Sequence, residues 1–195
     1  MHITRVMLTS TAAALAALVL PATAHAATFT HHDPAKDVEQ FDSSAGTTTP
    51  APDNTTADVV HLTVKHGAKN ITTTLKLRGL AKQWLVVGEV GTPAYQREVL
   101  VQRKKGKIVA HLLKKDSTQV PCSGLKAAEN TTKHTITYAV PTSCVDQPRW
   151  VQVGAGVVTG DLTGSGSGAS YADDSQRTGG TQESHLRMSP RIHRG

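Results

Sequence analysis

From residue 57 to residue 158 the chain repeatedly alternates apolar and polar residues at a period of two, and this constrains the fold more than any other feature. Successive side chains of a strand point to opposite faces, so each such run describes a strand with one buried face. In NITTTLKLRGL (70–80), Ile71, Thr73, Leu75 and Leu77 share one face, while Thr72, Thr74, Lys76 and Arg78 share the other. In ADVVHLTVKH (57–66), Val60, Leu62 and Val64 oppose His61, Thr63 and Lys65. HGAK (66–69) supplies a turn between the two runs, and the many β-branched residues suit strands. A hairpin is expected here.

Further strands follow the same logic. ATFTHH (27–32) reads as a first edge strand with Phe29 pointing inward. QWLVVGEV (83–90) is largely apolar and suits a strand covered on both faces, ended or bulged at Gly88 and at Gly91-Thr92-Pro93. Residues 95–115 read as a second hairpin with arms Arg97–Arg103 and Lys107–Leu113, turned at Lys104-Lys105-Gly106, where Gly106 accepts a positive φ. A helix over 107–115 is the weaker alternative, being short and uncapped. KHTITYAV (133–140) alternates until Pro141, and WVQVGAGVV (150–158) makes a final strand. About eight strands with no convincing amphipathic helix predict an all-β, antiparallel β-sandwich, with a β-barrel as the alternative.

The only two cysteines, Cys122 and Cys144, flank one of these strands. Their spacing lacks the closeness of redox pairs, so a structural disulfide is expected; closing that loop would constrain the unfolded chain by about 3 kcal/mol. Disulfides belong to exported proteins, and the N-terminus agrees. Arg5, an apolar run from Val6 to Leu20 and Ala24-His25-Ala26 read as a secretory signal peptide over residues 1–26. The run is too short to span a bilayer comfortably, and no later stretch is long and apolar enough. The expected layout is a secreted, extracellular, monomeric β-sandwich domain over 27–159, containing an acidic irregular loop at 33–58. A Gly/Ser-rich, then basic, flexible tail is expected over 160–195, to which Leu186, Met188 and Ile192 could add a short strand.

Several stretches resemble a loose group of short secreted actinomycete β-sandwich proteins. They are Val140-Pro141-Thr142-Ser143-Cys144, Pro148-Arg149-Trp150-Val151-Gln152-Val153, Asp33-Pro34-Ala35-Lys36-Asp37-Val38, Asp58-Val59-Val60, Tyr171-Ala172-Asp173-Asp174 and Pro190-Arg191. At the level of fold the chain is also similar to carbohydrate-binding and DOMON-type modules. The resemblance implies export and a sandwich, and no particular chemistry.

Charge is segregated along the chain. Asp33, Asp37, Glu39, Asp42, Asp53 and Asp58 face Lys36 alone in residues 27–60, whereas residues 61–133 carry fourteen Lys and Arg against Glu89, Glu98, Asp116 and Glu129. Asp33, Asp37, Asp42, Asp53 and Asp58 could supply oxygen ligands to Ca2+, although their spacing is not that of an EF-hand. Arg103, Lys104, Lys105 and Lys107, with Lys114 and Lys115 near, could attract a polyanion such as a cell-wall polymer. The same lysines would also protect an edge hairpin from aggregation. Two Trp, three Tyr and two Phe are few for base stacking, which argues against nucleic acid. His61 and His134 could form a two-histidine site. No nucleophile elbow, phosphate loop or dinucleotide fingerprint occurs. The expectation is a non-catalytic binding or surface-interaction module for a wall polymer, polysaccharide or extracellular protein. The alternatives are a secreted inhibitor acting through Pro121-Cys122-Ser123-Gly124 or the Asp-rich loop, and a small hydrolase with paired carboxylates.

Overall fold

Alternation sets the first sheet. The computed structural model describes residues 26–42, 44–162, 168–178 and 185–195. The expected signal peptide lies, except for Ala26, outside the described residues, as does the side chain of Lys104. Strands β1 (Ala27–His32), β2 (Glu39–Asp42), β3 (Thr47–Pro50), β4 (Val59–His66) and β5 (Asn70–Leu77) are followed by β6 (Trp84–Gly91), β7 (Gln96–Lys104) and β8 (Lys107–Leu113). The chain continues through β9 (Gln119–Val120), β10 (Lys126–Asn130), β11 (Thr135–Pro141), β12 (Trp150–Gly160), β13 (Ala169–Asp174) and β14 (Ile192–His193). One 3-10 turn, Thr142–Val145, separates β11 from β12.

The smaller antiparallel sheet has the order β1-β4-β5-β11-β10, and the larger runs β3-β2-β13-β12-β6-β7-β8-β9, with β14 also paired to β12. Neither sheet closes on itself, so the expected all-β antiparallel sandwich is the fold and the barrel alternative is excluded. Both expected hairpins form, β4–β5 and β7–β8, and residues 107–113 are strand rather than helix. The second hairpin turns on Lys105 and Gly106, both at positive φ (52° and 76°), the mirror-image turn whose twist matches that of the strands.

The core lies between the sheets. Leu62, Val64, Ile71, Leu75, Leu77, Ile136, Tyr138 and Val140 of the smaller sheet meet Trp84, Val86, Val90, Val99, Val101, Val151, Val153, Ala155 and Val157 of the larger. Each fully buried large side chain contributes roughly 1.5–3 kcal/mol relative to exposure. Two readings of individual residues are corrected here. Val59, not Val60, is fully buried, because the register shifts between Val59 and His61 and moves the inward face by one residue. Gly88 neither ends nor bulges β6. It pairs with Val99 and Ala155 inside the sheet, and a Cβ there would overlap the Tyr138 hydroxyl reaching across from β11.

Cys122 and Cys144 form the expected disulfide, with Cα atoms 5.5 Å apart, joining the segment after β9 to the 3-10 turn after β11. His66, where the 57–66 run meets the expected turn, closes β4 and is fully buried, and its Nδ1 lies 2.9 Å from the Ile192 carbonyl oxygen.

More strands form than the eight expected: short β9 and β10 add an edge to each sheet, and two stretches of polar composition also join the larger sheet. The acidic leader contains β2 and β3, and the expected tail contains β13, which bonds to β12 and β2. Beyond it, Leu186, Arg187 and Met188 lie over Gly154 on the outer face of β12, which has no side chain there to repel them. Backbone pairing with an existing sheet lets Ser- and Thr-rich segments form strands without a strong apolar stripe. Ile192 forms the short terminal strand that sequence allowed.

Candidate functional site

Two constellations stand at the β13 side of the larger sheet, on opposite faces of it. Cross-strand partners share a face, and Asp173 pairs with the inward-facing Val157 whereas Asp174 pairs with Gly156. Consecutive acids on one strand therefore serve different environments.

The inner constellation is acidic. The Asp33 N–H donates to the Val60 carbonyl (3.3 Å), fixing the chain as it leaves β1. The turn then passes through Lys36 at a positive φ of 74°, and the Lys36 N–H donates to Asp58 Oδ2 at 2.7 Å. Asp33, Asp37 and Asp173 each offer an oxygen such that all three lie within 4.8 Å of one another. Two unit charges at that separation repel by about 3.5 kcal/mol at an effective dielectric of about 20, so the group cannot be fully ionised without compensation.

Partners are distributed unevenly around this centre. Asp58 is bound by the Arg78 guanidinium, whose Nε donates to Oδ2 at 2.6 Å. Asp174 Oδ2 accepts from Arg177 Nε (2.9 Å) and from the Arg187 N–H (2.7 Å). Asp173 Oδ2 accepts from the Val59 N–H (2.8 Å), but its Oδ1 is buried without a hydrogen-bond partner. Neither oxygen of Asp33, a residue only 7% exposed, has one; the His31 ring stands 3.9 Å away. Burial, reinforced by Asp173 and Asp37, pushes the Asp33 carboxyl up to about 9. Burial likewise pushes Asp173 up to about 8, against the lowering effect of the Val59 hydrogen bond.

The outer constellation is a groove of about 420 Å³. Apolar Val87, Val158, Ala172 and Leu186 line it together with Gly156, where a Cβ would meet the Asp173 carbonyl oxygen and Leu186. Glu89 and Glu98 are direct cross-strand partners on β6 and β7 and both line it, with Lys115 and His185 at its margin. Gln96 Nε2 donates to Glu89 Oε2. Burial is the main cause of a raised Glu89 pKa, with His185 and the Gln96 hydrogen bond opposing it and Glu98 adding to it. Arg97 also lines the groove, its guanidinium stacked 3.7 Å over the Tyr95 ring.

The residues singled out by sequence are placed as follows. Of the five leader acids, Asp33 and Asp37 enter the inner centre and Asp58 stands beside it, held by Arg78. Asp42 instead caps its own turn, accepting from the Ser44 N–H (2.9 Å) and hydroxyl (2.6 Å), and Asp53 is exposed. Of the basic hairpin, Arg103 Nε lies 3.3 Å from Glu129 Oε1, so this guanidinium is committed within the fold. Lys105 and Lys107 are exposed at the turn. His61 does not meet His134: β5 runs between β4 and β11, and the His61 ring stands 4.5 Å from that of His32 instead.

Asp173 was missed as a member of the acidic centre because its surroundings read as tail. Glu89 and Glu98 were missed as a pair, although their places on successive expected strands carried the signal. No known protein family, curated protein or solved structure matches the chain.

Proposed function

We propose that the protein is an exported, non-catalytic binding module that takes a ligand bearing a protonated amine into the outer groove. The observation that carries this reading is the directly opposed Glu89–Glu98 pair beside an apolar lining. Like charges directly opposite destabilise a sheet, and a ligand cation seated between them would turn that cost into affinity. The fold supports a rigid binding role, since Glu89 and Glu98 stand on the central strands β6 and β7. The disulfide and the signal-like N-terminus support export.

The test is calorimetric titration with glucosamine oligomers and with their N-acetylated counterparts, which differ in charge at the amine. Amine-bearing oligomers should bind more tightly, with affinity that falls as salt is raised, and Glu98→Gln should weaken binding at least about tenfold. Equal binding of the two series, or no binding of either, overturns the reading.

A second reading has one specific observation in its favour. Glu89 has a raised pKa beside a carboxylate partner, an arrangement that glycoside hydrolysis uses for its acid. Release of shorter oligomers during prolonged incubation, abolished by Glu89→Gln, would favour it over simple binding.

A further inference from the structure

We propose that Asp33, Asp37 and Asp173 bind a calcium ion inside the sandwich, where the turn after β1 meets β13. Asp173 also borders the groove, but its carboxylate faces the other side of the sheet, toward the Val59 N–H, and calcium binding does not depend on the amine-binding reading.

The argument begins with the donors. Three carboxylates from residues 33, 37 and 173 converge, and no pair of the contributed oxygens is farther apart than 4.8 Å. Calcium takes oxygen ligands at about 2.3–2.6 Å, so oxygens on opposite sides of the ion stand roughly 4.6–5.2 Å apart. The cluster fits within that sphere. Magnesium dehydrates reluctantly and usually keeps several waters rather than entering an all-protein carboxylate cage, so a buried set of this kind favours calcium. The three ligands carry hard oxygen atoms, and both cysteines are consumed in the disulfide, so the donor set does not favour zinc.

The second line of argument is the unused bonding capacity of Asp33. Both of its oxygens are buried without a hydrogen-bond partner, on a residue 7% exposed. A buried polar atom left unpaired costs free energy that native proteins avoid. Asp173 Oδ1 is in the same condition, while its Oδ2 is held by the Val59 N–H, which orients the carboxylate. The surrounding charges point the same way. Asp58 and Asp174 each have an arginine, Arg78 and Arg177, so these two acids are already neutralised.

Such an ion would couple distant parts of the chain. It would tie the residue 33–37 turn to β13, and so dock the C-terminal part of the larger sheet against the N-terminal strand. Binding to the folded state alone raises apparent stability by mass action.

The experiment is titration of CaCl2 into the chelator-treated full chain at pH 7.5, by calorimetry and by thermal melting, with MgCl2 in parallel. One calcium per chain and a melting temperature that rises with calcium concentration are expected, with weaker uptake of magnesium. Asp33→Asn should bind calcium at least about tenfold more weakly, yet melt in EDTA no lower than the parent. Asp173→Asn provides a second test of the same loss. Glu98→Gln, in the groove, should leave calcium binding unchanged, which separates failure of this site from failure of the amine-binding reading. No calorimetric uptake by the parent together with identical melting in calcium and EDTA overturns the proposal. So does undiminished binding by Asp33→Asn, or a preference for magnesium.

Discussion

Two places in this molecule draw carboxylates away from solvent, one partly and one fully, and they treat the carboxylate oxygens in opposite ways. At Glu129, on β10, one oxygen lies 3.3 Å from Arg103 Nε and the other accepts from the Trp84 indole N–H at 3.0 Å. That acid bridges the two sheets and has a partner for each oxygen. At the β1–β13 junction, Asp33 has a hydrogen-bond partner for neither oxygen, and Asp173 has one for only Oδ2. A buried carboxylate with its partners in place is architecture. One without them demands protons or a cation. The two regions differ in depth, since the Glu129 side chain keeps 13% exposure and that of Asp33 none, but above all in satisfied valence.

The largest expected effect that separates them is pH dependence in chelator. Asp33 and Asp173 have folded-state pKa values pushed up to about 9 and about 8, above the usual 3.8. The folded chain therefore holds protons that the unfolded chain releases, and folding is favoured at low pH. Stability from these groups should fall as pH rises from about 4 towards 9 and level off beyond. Melting temperatures in EDTA across this range test the point; Asp33→Asn should flatten the slope, and calcium should flatten or reverse it. A parent profile that rises through pH 5–8 in EDTA, with no fall attributable to Asp33, would erase the contrast.

The next effect is at the satisfied acid. Glu129→Ala strips Arg103 and the Trp84 N–H of their common acceptor and should cost about 2–3 kcal/mol in urea unfolding. Here substitution of a half-buried but fully partnered carboxylate destabilises, while Asp33→Asn in EDTA does not. Glu129→Gln keeps one acceptor oxygen and should cost less, about 1 kcal/mol. If Glu129→Ala proved neutral, the bridge would be incidental and the comparison would lose one of its arms.

How much of this could be read from sequence follows the same physics. The β4–β5 and β7–β8 hairpins were legible because each buries one face and exposes the other, and Ile71, Thr73, Leu75 and Leu77 are all buried as the alternation required. The disulfide was legible from two cysteines with no rival partner. Strands β2, β3 and β13 were not, because backbone pairing to a neighbouring strand rather than an apolar stripe holds TTTP and ASYADD in the sheet. The acidic centre was half legible for that reason. Asp33 and Asp37 stood out in the leader, but nothing in the sequence around Asp173 shows that a chain segment 136 residues beyond Asp37 returns to the same place. The role of Gly88 also needed the second sheet, since only Tyr138 reaching across explains why a strand interior lacks a side chain.

The smallest effect sharpens the comparison from outside it. Asp42 belongs to the same acidic leader as Asp33 but serves as the acceptor of its own turn, taking the Ser44 N–H and hydroxyl and the Ala45 N–H at 3.1 Å. Those hydrogen bonds, the Ser44 hydroxyl first, hold its carboxyl below the usual range, the reverse of the shift at Asp33. Asp42→Asn preserves an oxygen able to accept the same bonds and should move the melting temperature by about one degree or less. Its calcium response should equal that of the parent, measured in the same titration. A loss of calcium binding in Asp42→Asn would mean that the leader attracts the ion through its general negative charge. The distinction between a built centre and an acidic segment would then fail, whatever Asp33→Asn had done.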